Sequence, residues 1–296
     1  MQIHFGCEIA LECEQPTPLV FMLRVQPERR RFLLVSDNLE ISGGAASVPY
    51  VDGFGNLCTR TLASPGRTLR ATTDGLMLDT GKPDPVPSSA QQVAIHQLPA
   101  DVLRYLVSSR YCEVDLLSTF AWNTFGATPP GWQRVQAVCD FVHAHLTFGY
   151  EHARSSRSAL QAFQERVGVC RDFAHLAVTL CRALGIPARY TTGYLGDIGV
   201  PFVPSAMDFS AWFEVWLDGG WFTFDARHNT PRIGRIPIAY GCDATDVAFV
   251  TSFGLHRLIS FKVWTDAVDP DRRTEARAQP PTAESPLPQE HATAVS

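Results

Sequence analysis

The sequence has little of what marks several common functional classes. Its 25 Lys and Arg residues are outnumbered by 30 Asp and Glu residues, which gives a formal net charge of −5. No basic excess is available to hold a phosphate backbone, and we therefore expect no nucleic-acid partner. No run approaches about 18 uninterrupted apolar residues, and no basic segment followed by an apolar one opens the chain. We therefore expect no membrane partner and no secretory signal.

The chain also lacks any Cys-x-x-Cys pair. Structural zinc sites and disulfide-rich secreted modules use close and regular cysteine spacings, whereas the cysteines here are scattered. We therefore expect no metal site, mostly reduced thiols and a cytoplasmic protein. The eight cysteines are Cys7, Cys13, Cys58, Cys112, Cys139, Cys170, Cys181 and Cys242.

What is present is the composition of a globular protein. Hydrophobic residues make up 45% and charged residues 19% of the 296 residues, which is enough chain to bury a sizeable core. Residues 1–90 contain short apolar runs separated by turn-forming pairs, a pattern that predicts a β-rich N-terminal domain. The turn pairs are Gly43–Gly44, Asp52–Gly53, Gly55–Asn56, Pro65–Gly66 and Asp74–Gly75. Residues 81–90 hold three prolines and predict the linker out of this domain.

Residues 91–266 form the second predicted domain, in which helical periodicity gives way to alternation. Apolar residues at steps of three and four predict four helices, at 99–107, 132–148, 158–167 and 171–184. Alternating β-forming residues then predict strands at 188–195, 211–217 and 221–225, with further strand within 247–263. Helices followed by an antiparallel sheet indicate an α+β fold. Residues 267–296, rich in proline and charge, predict a disordered tail.

Cys170 is the sharpest candidate for chemistry. It follows the glycine-containing turn at Gly168 and opens the predicted helix 171–184. Unpaired backbone N–H groups and the positive end of the helix dipole favour a thiolate at such a position. The same N–H groups can stabilise an oxyanion. A buried structural cysteine is the alternative interpretation of this residue taken alone.

Three segments together resemble the transglutaminase-like superfamily, which shares a papain-like core. They are Gly-Val-Cys-Arg-Asp-Phe-Ala-His at 168–175, Asp-Phe-Ser-Ala-Trp-Phe-Glu-Val-Trp-Leu at 208–217, and Trp-Phe-Thr-Phe-Asp-Ala-Arg-His-Asn at 221–229. The chain looks like the bacterial cysteine-protease branch, and residues 1–90 resemble the β-rich N-terminal domain of that branch.

The resemblance implies a Cys–His–Asp triad in which the cysteine helix packs on an antiparallel sheet. Mapped onto this chain, Cys170 is the nucleophile and Asp225 is the carboxylate that orients the base. The position of the triad histidine is occupied by Ser210. The resemblance also implies that Tyr150 assists the oxyanion site. No cofactor is implied, and no acidic cluster suggests calcium.

Ser210 changes the chemistry that the site can perform. A hydroxyl has no pKa near neutrality, so it can neither take the thiol proton nor return it to a leaving amine. Three interpretations follow. The base is lost and the protein binds without efficient turnover; another histidine enters the site; or a thiolate held by the helix end and Asp225 is sufficient.

The register of the predicted hairpin bears on the second interpretation. With Asp218 and Gly219 as a two-residue turn, Ser210 lies opposite Arg227, and Ser210 and Asp225 share one face. His228 then faces away, unless the strand ends or bulges before it. His228 is therefore a weak candidate for a substitute base.

We expect a cysteine protease, amidase or acyltransferase that acts on peptide or protein amides through a Cys170 thioester. Water would hydrolyse this thioester, or an amine would accept the acyl group. The alternative is a catalytically impaired binding or scaffold module of the same fold, which the serine at position 210 favours.

Overall fold

The computed structural model describes residues 1–201 and 207–268. The first part of the chain forms the strands β1 (Gln2–Glu12), β2 (Thr17–Phe21), β3 (Leu33–Val35), β4 (Glu40–Ser42), β5 (Val48–Val51), β6 (Leu57–Ala63) and β7 (Thr68–Leu78). The middle part forms α1 (Val114–Phe125), α2 (Trp132–His145), β8 (Thr147–Phe148), α3 (Ala159–Glu165), β9 (Val167–Gly168) and α4 (Cys170–Ala183). The last part forms β10 (Ala188–Tyr194), β11 (Ser210–Leu217), β12 (Gly220–Phe224), β13 (Ile236–Gly241), β14 (Val250–Ser252) and β15 (Arg257–Val268).

The α+β fold is confirmed by the packing of α4 on an antiparallel sheet. This sheet has the strand order β12–β11–β10–β13. The apolar stripe predicted for the helix is buried throughout and consists of Phe173, Leu176, Ala177, Leu180 and Leu184. It shares one core with the side chains of β11 that face it, among them Phe213 and Val215. Because the helix and the sheet each have one apolar face, burying the two against each other fixes where α4 begins relative to β11.

The β-rich N-terminal region consists of two sheets, and both contain a strand from the far end of the chain. One sheet has the order β15–β1–β7–β3, with β4 also paired to β7, and the other has the order β14–β2–β6–β5. β15 pairs with β1 from Gln2 opposite Val268 to Glu12 opposite Arg257. The division into domains at residue 90 stays a prediction. Within the linker segment, Asp84 is held to Arg235 by a 2.8 Å salt bridge.

The pair Asp74–Gly75 was expected to form a turn, and that expectation is wrong. Both residues lie inside β7, where Gly75 pairs with Phe5 of β1. A Cβ at Gly75 would lie 2.8 Å from the tip of the Phe5 ring. The glycine therefore makes room for a buried aromatic side chain, and a local turn pattern could not show this.

Two helix predictions also need correction. The segment 99–107 forms only a short 3-10 helix, Leu103–Leu106, and Leu103 and Val107 remain 40% and 60% exposed. Only Val102 and Tyr105 of this segment are buried, and such a short apolar face stabilises no longer helix. Conversely, α1 was not predicted, although Leu117, Ala121 and Phe125 recur every four residues and are buried in it.

The predicted tail from 267 onward is corrected at its first two residues. Ala267 and Val268 still belong to β15 and pair with Ile3 and Gln2, because β1 extends far enough to receive them. Residues 269–296 lie outside the described residues. Within the parts of the chain that the structure describes, no helix combines the length and the apolar character needed to cross a membrane.

Candidate active site

Cys170 is the first residue of α4 and is partly exposed. The short parallel pair of β8 and β9 leads the chain to it, with Phe148 paired to Gly168. Gly168 is required by close packing, since a Cβ there would lie 2.6 Å from the Cβ of Asp172. Asp172 in turn accepts a hydrogen bond from the backbone N–H of Val169 at 2.9 Å, which caps the helix. The thiol is therefore fixed by a local, capped turn.

The hairpin of β11 and β12 has the predicted register. Leu217 pairs with Gly220, and the register continues to Phe213 opposite Phe224. Asp218 and Gly219 both have positive φ, at 45° and 81°, as a type I′ turn requires. Ser210 thus begins β11 and Asp225 follows the last residue of β12.

His228 turns toward Asp225, because β12 ends before it. The strand stops at Phe224, so the opposition of Ser210 to Arg227 expected from an extended ladder does not form. The backbone N–H groups of Arg227 and His228 donate to Asp225 Oδ1 at 3.0 and 3.1 Å. His228 Nδ1 lies 2.8 Å from Asp225 Oδ2. The strand thus ends before His228, as the conditional case required, and the imidazole pairs with Asp225.

Asp225 is also held by a buried guanidinium. Arg235 donates to Asp225 Oδ2 over 2.8 Å and bridges to Asp84 on its other side. Burial alone would raise the pKa of the Asp225 carboxyl, but Arg235 and His228 together hold it well below its usual range. Asp225 is therefore a permanent anion on which an imidazole can be oriented.

Ser210 precedes the residue of β11 whose backbone contacts the thiol, and its hydroxyl has no hydrogen-bond partner among the described residues. Ser210 itself is 6% exposed. The neighbouring residue Ala211 makes a backbone hydrogen bond to the Cys170 thiol. The edge of β11 thus contacts the sulfur, as the resemblance implies, but it brings a hydroxyl rather than an imidazole.

The protonation of Cys170 differs from the sequence-based expectation. Burial raises the pKa of the thiol to about 11, and the charge of Arg227 lowers it only in part. Desolvation is the largest influence on this thiol, and it opposes the thiolate that the helix end was expected to favour. In the resting protein the thiol is protonated at neutral pH.

Tyr150 follows β8 and lies near Cys170. It lies in the short 3-10 helix Tyr150–His152, and its ring packs edge-on against Phe148 at 5.3 Å. Desolvation raises the pKa of its phenol, and the charge of Cys170 contributes to that rise. Its role at an oxyanion stays a prediction.

Three residues of the site were not singled out from the sequence. Arg235 and Asp208 are buried or half-buried charges near Asp225 and Cys170, and Arg227 lies beside the thiol. A charged residue has no periodic signature. For Arg227 alone, the predicted hairpin register indicates a position on the same face as Ser210 and Asp225.

His175 lies away from this chemistry. It is fully buried, its Nε2 accepts a hydrogen bond from the backbone N–H of Ala244 at 3.1 Å, and its ring stacks on Tyr111. Burial holds its pKa well below the usual value. In residues 1–201 and 207–268, no three His, Cys, Asp or Glu side chains are grouped so that they could hold a metal ion.

The fold and site together define a class: a papain-like core in which a cysteine at a helix start faces an antiparallel hairpin. A family model of the transglutaminase-like superfamily matches residues 119–226, a range that includes Cys170, Ser210 and Asp225. An uncharacterised protein of Mycobacterium leprae is 37% identical over 224 residues, which cover 74% of this chain and 80% of that protein. The chain belongs to the transglutaminase-like superfamily.

The chain is also similar to a solved structure and to a second mycobacterial protein. The crystal structure of a “putative cysteine protease” from Cytophaga hutchinsonii is similar with a TM-score of 0.78 and 28% identity, over 91% of each chain. An uncharacterised protein of Mycobacterium tuberculosis is 26% identical over 178 residues, which cover 56% of each chain. The fold similarity thus extends through the N-terminal sheets as well as the core.

Proposed function

We propose that the protein is a cysteine protease, amidase or acyltransferase that acts on peptide or protein amides. The observation that carries the proposal is the His228–Asp225 pair at the end of β12, whose carboxylate is near enough to Cys170 for its charge to raise the pKa of that thiol. This pair supplies the imidazole that position 210 lacks. Family and fold similarity to a chain named as a cysteine protease supports the same chemistry.

The roles of the residues follow from their contacts. Asp225 holds Nδ1 of His228, which leaves Nε2 to exchange a proton with the substrate and the thiol. Because the resting Cys170 thiol is protonated, the base must act during attack rather than hold a standing thiolate.

The reaction then proceeds through a thioester. The Cys170 sulfur bonds to the amide carbon while its proton passes to His228, and the C–N bond breaks as that proton moves to the leaving amine. Water or a second amine, deprotonated by His228, then attacks the thioester and restores the thiol. We propose that the substrate is a peptide or protein. We also propose a cytoplasmic location, because all eight cysteines are free, which suits a reducing compartment.

The test compares two leaving groups. An activated peptide nitrophenyl ester needs little proton transfer to its leaving group, whereas the matching peptide anilide needs a general acid. We expect His228→Asn to lower anilide turnover by about 10²–10⁴-fold and ester turnover far less. Cys170→Ala should abolish the acyl-enzyme that mass spectrometry detects, and the exposed His96→Asn serves as a matched control.

Position 210 provides a rescue. In the His228→Asn background, Ser210→His places an imidazole at the position that the family assigns to the base, and part of the anilide turnover should return. If the unmodified protein is active and His228→Asn changes the turnover of neither the ester nor the anilide, the base lies elsewhere and this assignment is wrong.

A binding module is the second candidate, and two observations favour it. The triad position carries a buried hydroxyl, and the resting thiol has a raised pKa. This candidate predicts that peptides bind equally to the unmodified protein and to Cys170→Ala, with no acyl-enzyme formed from the activated ester.

A further inference from the structure

Arg227 is a cation whose position is fixed by the turn that builds the site. Its backbone N–H donates to Asp225 Oδ1 over 3.0 Å. Its carbonyl oxygen lies 2.8 Å from His143 Nδ1 on α2. The backbone of Arg227 is thus held on both sides, and its side chain leaves the turn toward Cys170.

The guanidinium of Arg227 lies on an aromatic platform beside the nucleophile. Its Cζ is 3.8 Å from the centroid of the Phe148 ring, well within the range of a cation–π contact. Phe148 is paired to Gly168, two residues before Cys170. Tyr150 packs edge-on against Phe148 and is 48% exposed, and both Phe148 and Arg227 are partly exposed.

No carboxylate of the described residues neutralises this charge directly, in contrast to several other arginines of the protein. Arg157, Arg189 and Arg235 each form a salt bridge with a carboxylate. Arg227 forms no such bridge within the described part of the chain. Its charge nevertheless lowers the pKa values of Cys170, Tyr150 and Asp208, which places the guanidinium among these three groups.

Asp208 is the opposing charge at this surface. Its Oδ1 accepts a 2.6 Å hydrogen bond from the backbone N–H of Phe209, so this oxygen is occupied by its own chain. Burial raises the pKa of its carboxyl. No salt bridge joins Asp208 to Arg227 among the described residues, so the guanidinium keeps donors for another anion.

We propose that Arg227, on its Phe148 platform, is a subsite for a carboxylate of the substrate, next to the amide that Cys170 attacks. A guanidinium stacked on a ring presents its N–H donors in a plane, which suits a carboxylate. The inference rests on the proposed acyl-transfer function and narrows its substrates to peptides with an acidic side chain or a free C-terminal carboxylate near the scissile bond.

The test uses two alkylating reagents of matched size and different charge. Iodoacetate carries a carboxylate and iodoacetamide does not, so the ratio of their rates at one thiol reports attraction for an anion. Cys242 is an internal control, because it is also partly exposed and its thiol pKa is likewise raised to about 11. Mass spectrometry of the two cysteine peptides gives both ratios in one sample.

We expect Arg227→Gln to lower the ratio at Cys170 by about tenfold, since the cation concentrates anions at the thiol. Arg227→Lys should keep most of the ratio, and Arg67→Gln, on the exposed turn between β6 and β7, should change neither cysteine. The proposal is overturned if Arg227→Gln leaves the ratio at Cys170 unchanged. It is also overturned if the variant slows both reagents equally, because Arg227 then only stabilises the thiolate.

Peptide turnover separates this inference from the proposed function. Matched peptides that differ as Glu against Gln, or as a C-terminal acid against its amide, identify which carboxylate is bound, and Arg227→Gln should remove the preference through KM. If no peptide is turned over, the proposed function fails while the alkylation ratio still decides the subsite.

Discussion

At the scale of single residues, the site depends on one buried anion that is held by an imidazole and a guanidinium. Asp225 contacts both His228 and Arg235, and Arg235 also contacts Asp84. Removing one member of such a network leaves an uncompensated buried charge, which is more costly than the pair is worth. The residues that orient the imidazole therefore also stabilise the fold.

Replacing Arg235 tests this coupling. Arg235→Gln leaves the buried Asp225 and the partly exposed Asp84 without their shared guanidinium, and we expect it to destabilise the protein by about 3–5 kcal/mol. Urea unfolding at pH 7 measures the loss. Arg67→Gln, on an exposed turn, is the control and should unfold at the same urea concentration as the unmodified protein. A near-neutral result for Arg235→Gln would mean that the network contributes little to stability.

The same anion makes stability depend on pH in the acid range. Because the pKa of Asp225 is lowered on folding, the unfolded chain binds a proton that the folded protein excludes. Its contribution is therefore present above the unfolded Asp value of about 3.9 and is lost as pH falls below that value. Asp225→Asn should flatten the fall in melting temperature between about pH 5 and 2. The exposed Asp101→Asn should leave that slope unchanged.

The raised pKa of Cys170 predicts how the rate of labelling of this thiol depends on pH. Six of the eight cysteines are buried, so accessibility alone restricts labelling to Cys170 and Cys242. Burial raises the pKa of each of these two thiols to about 11. Iodoacetamide labelling of Cys170 should therefore rise throughout pH 7–10 rather than level off near neutrality. A plateau near pH 7 would show a thiolate that is already poised in the resting protein.

At the scale of elements, the start of α4 is set by a glycine. A Cβ at Gly168 would meet Asp172, which caps the helix, whereas Gly53 has no atom within 4 Å of an added Cβ. We expect Gly168→Ala to destabilise the protein by about 1–3 kcal/mol through overpacking and to displace the thiol. Thermal unfolding together with the labelling rate of Cys170 measures both effects. Gly53→Ala is the matched control, and equal behaviour of the two variants would contradict this account.

The hairpin shows how a short motif positions chemistry. Its turn residues and its alternation predict which residues pair, and the observed register agrees from Leu217–Gly220 onward. The end of β12 cannot be obtained in this way, because the ladder stops when the backbone N–H groups after it turn to the Asp225 carboxylate instead of a partner strand. This change of partner decides where His228 lies.

At the scale of the whole molecule, strands from the two ends of the described chain pair with one another in the same sheets. β15 pairs along the whole of β1, and β14 pairs with β2, so each N-terminal sheet is complete only with a strand from the last part of the described chain. Buried residues of β1 such as Ile3, Phe5 and Ile9 belong to a core that also includes Val263. Removing β15 would therefore expose the edge of β1.

Truncation tests this arrangement. A chain ending at Gly254 loses β15, and we expect loss of cooperative unfolding or aggregation, as followed by circular dichroism and light scattering. A chain ending at Val268 keeps every pairing of β15 and serves as the control. If the shorter chain melts like the control, the N-terminal sheets do not depend on their last strand.

The sequence by itself determined the features that depend on neighbours in the chain. The stripe of α4, the turn at Asp218–Gly219 and the placement of Cys170 and Asp225 follow from periodicity and turn chemistry, which act over a few residues. The tertiary structure decided the buried position of Gly75, the return of His228, the pairing of β15 with β1 and the protonation of Cys170. Each of these depends on desolvation or on a contact between distant segments, and such effects exist only when the elements have packed together.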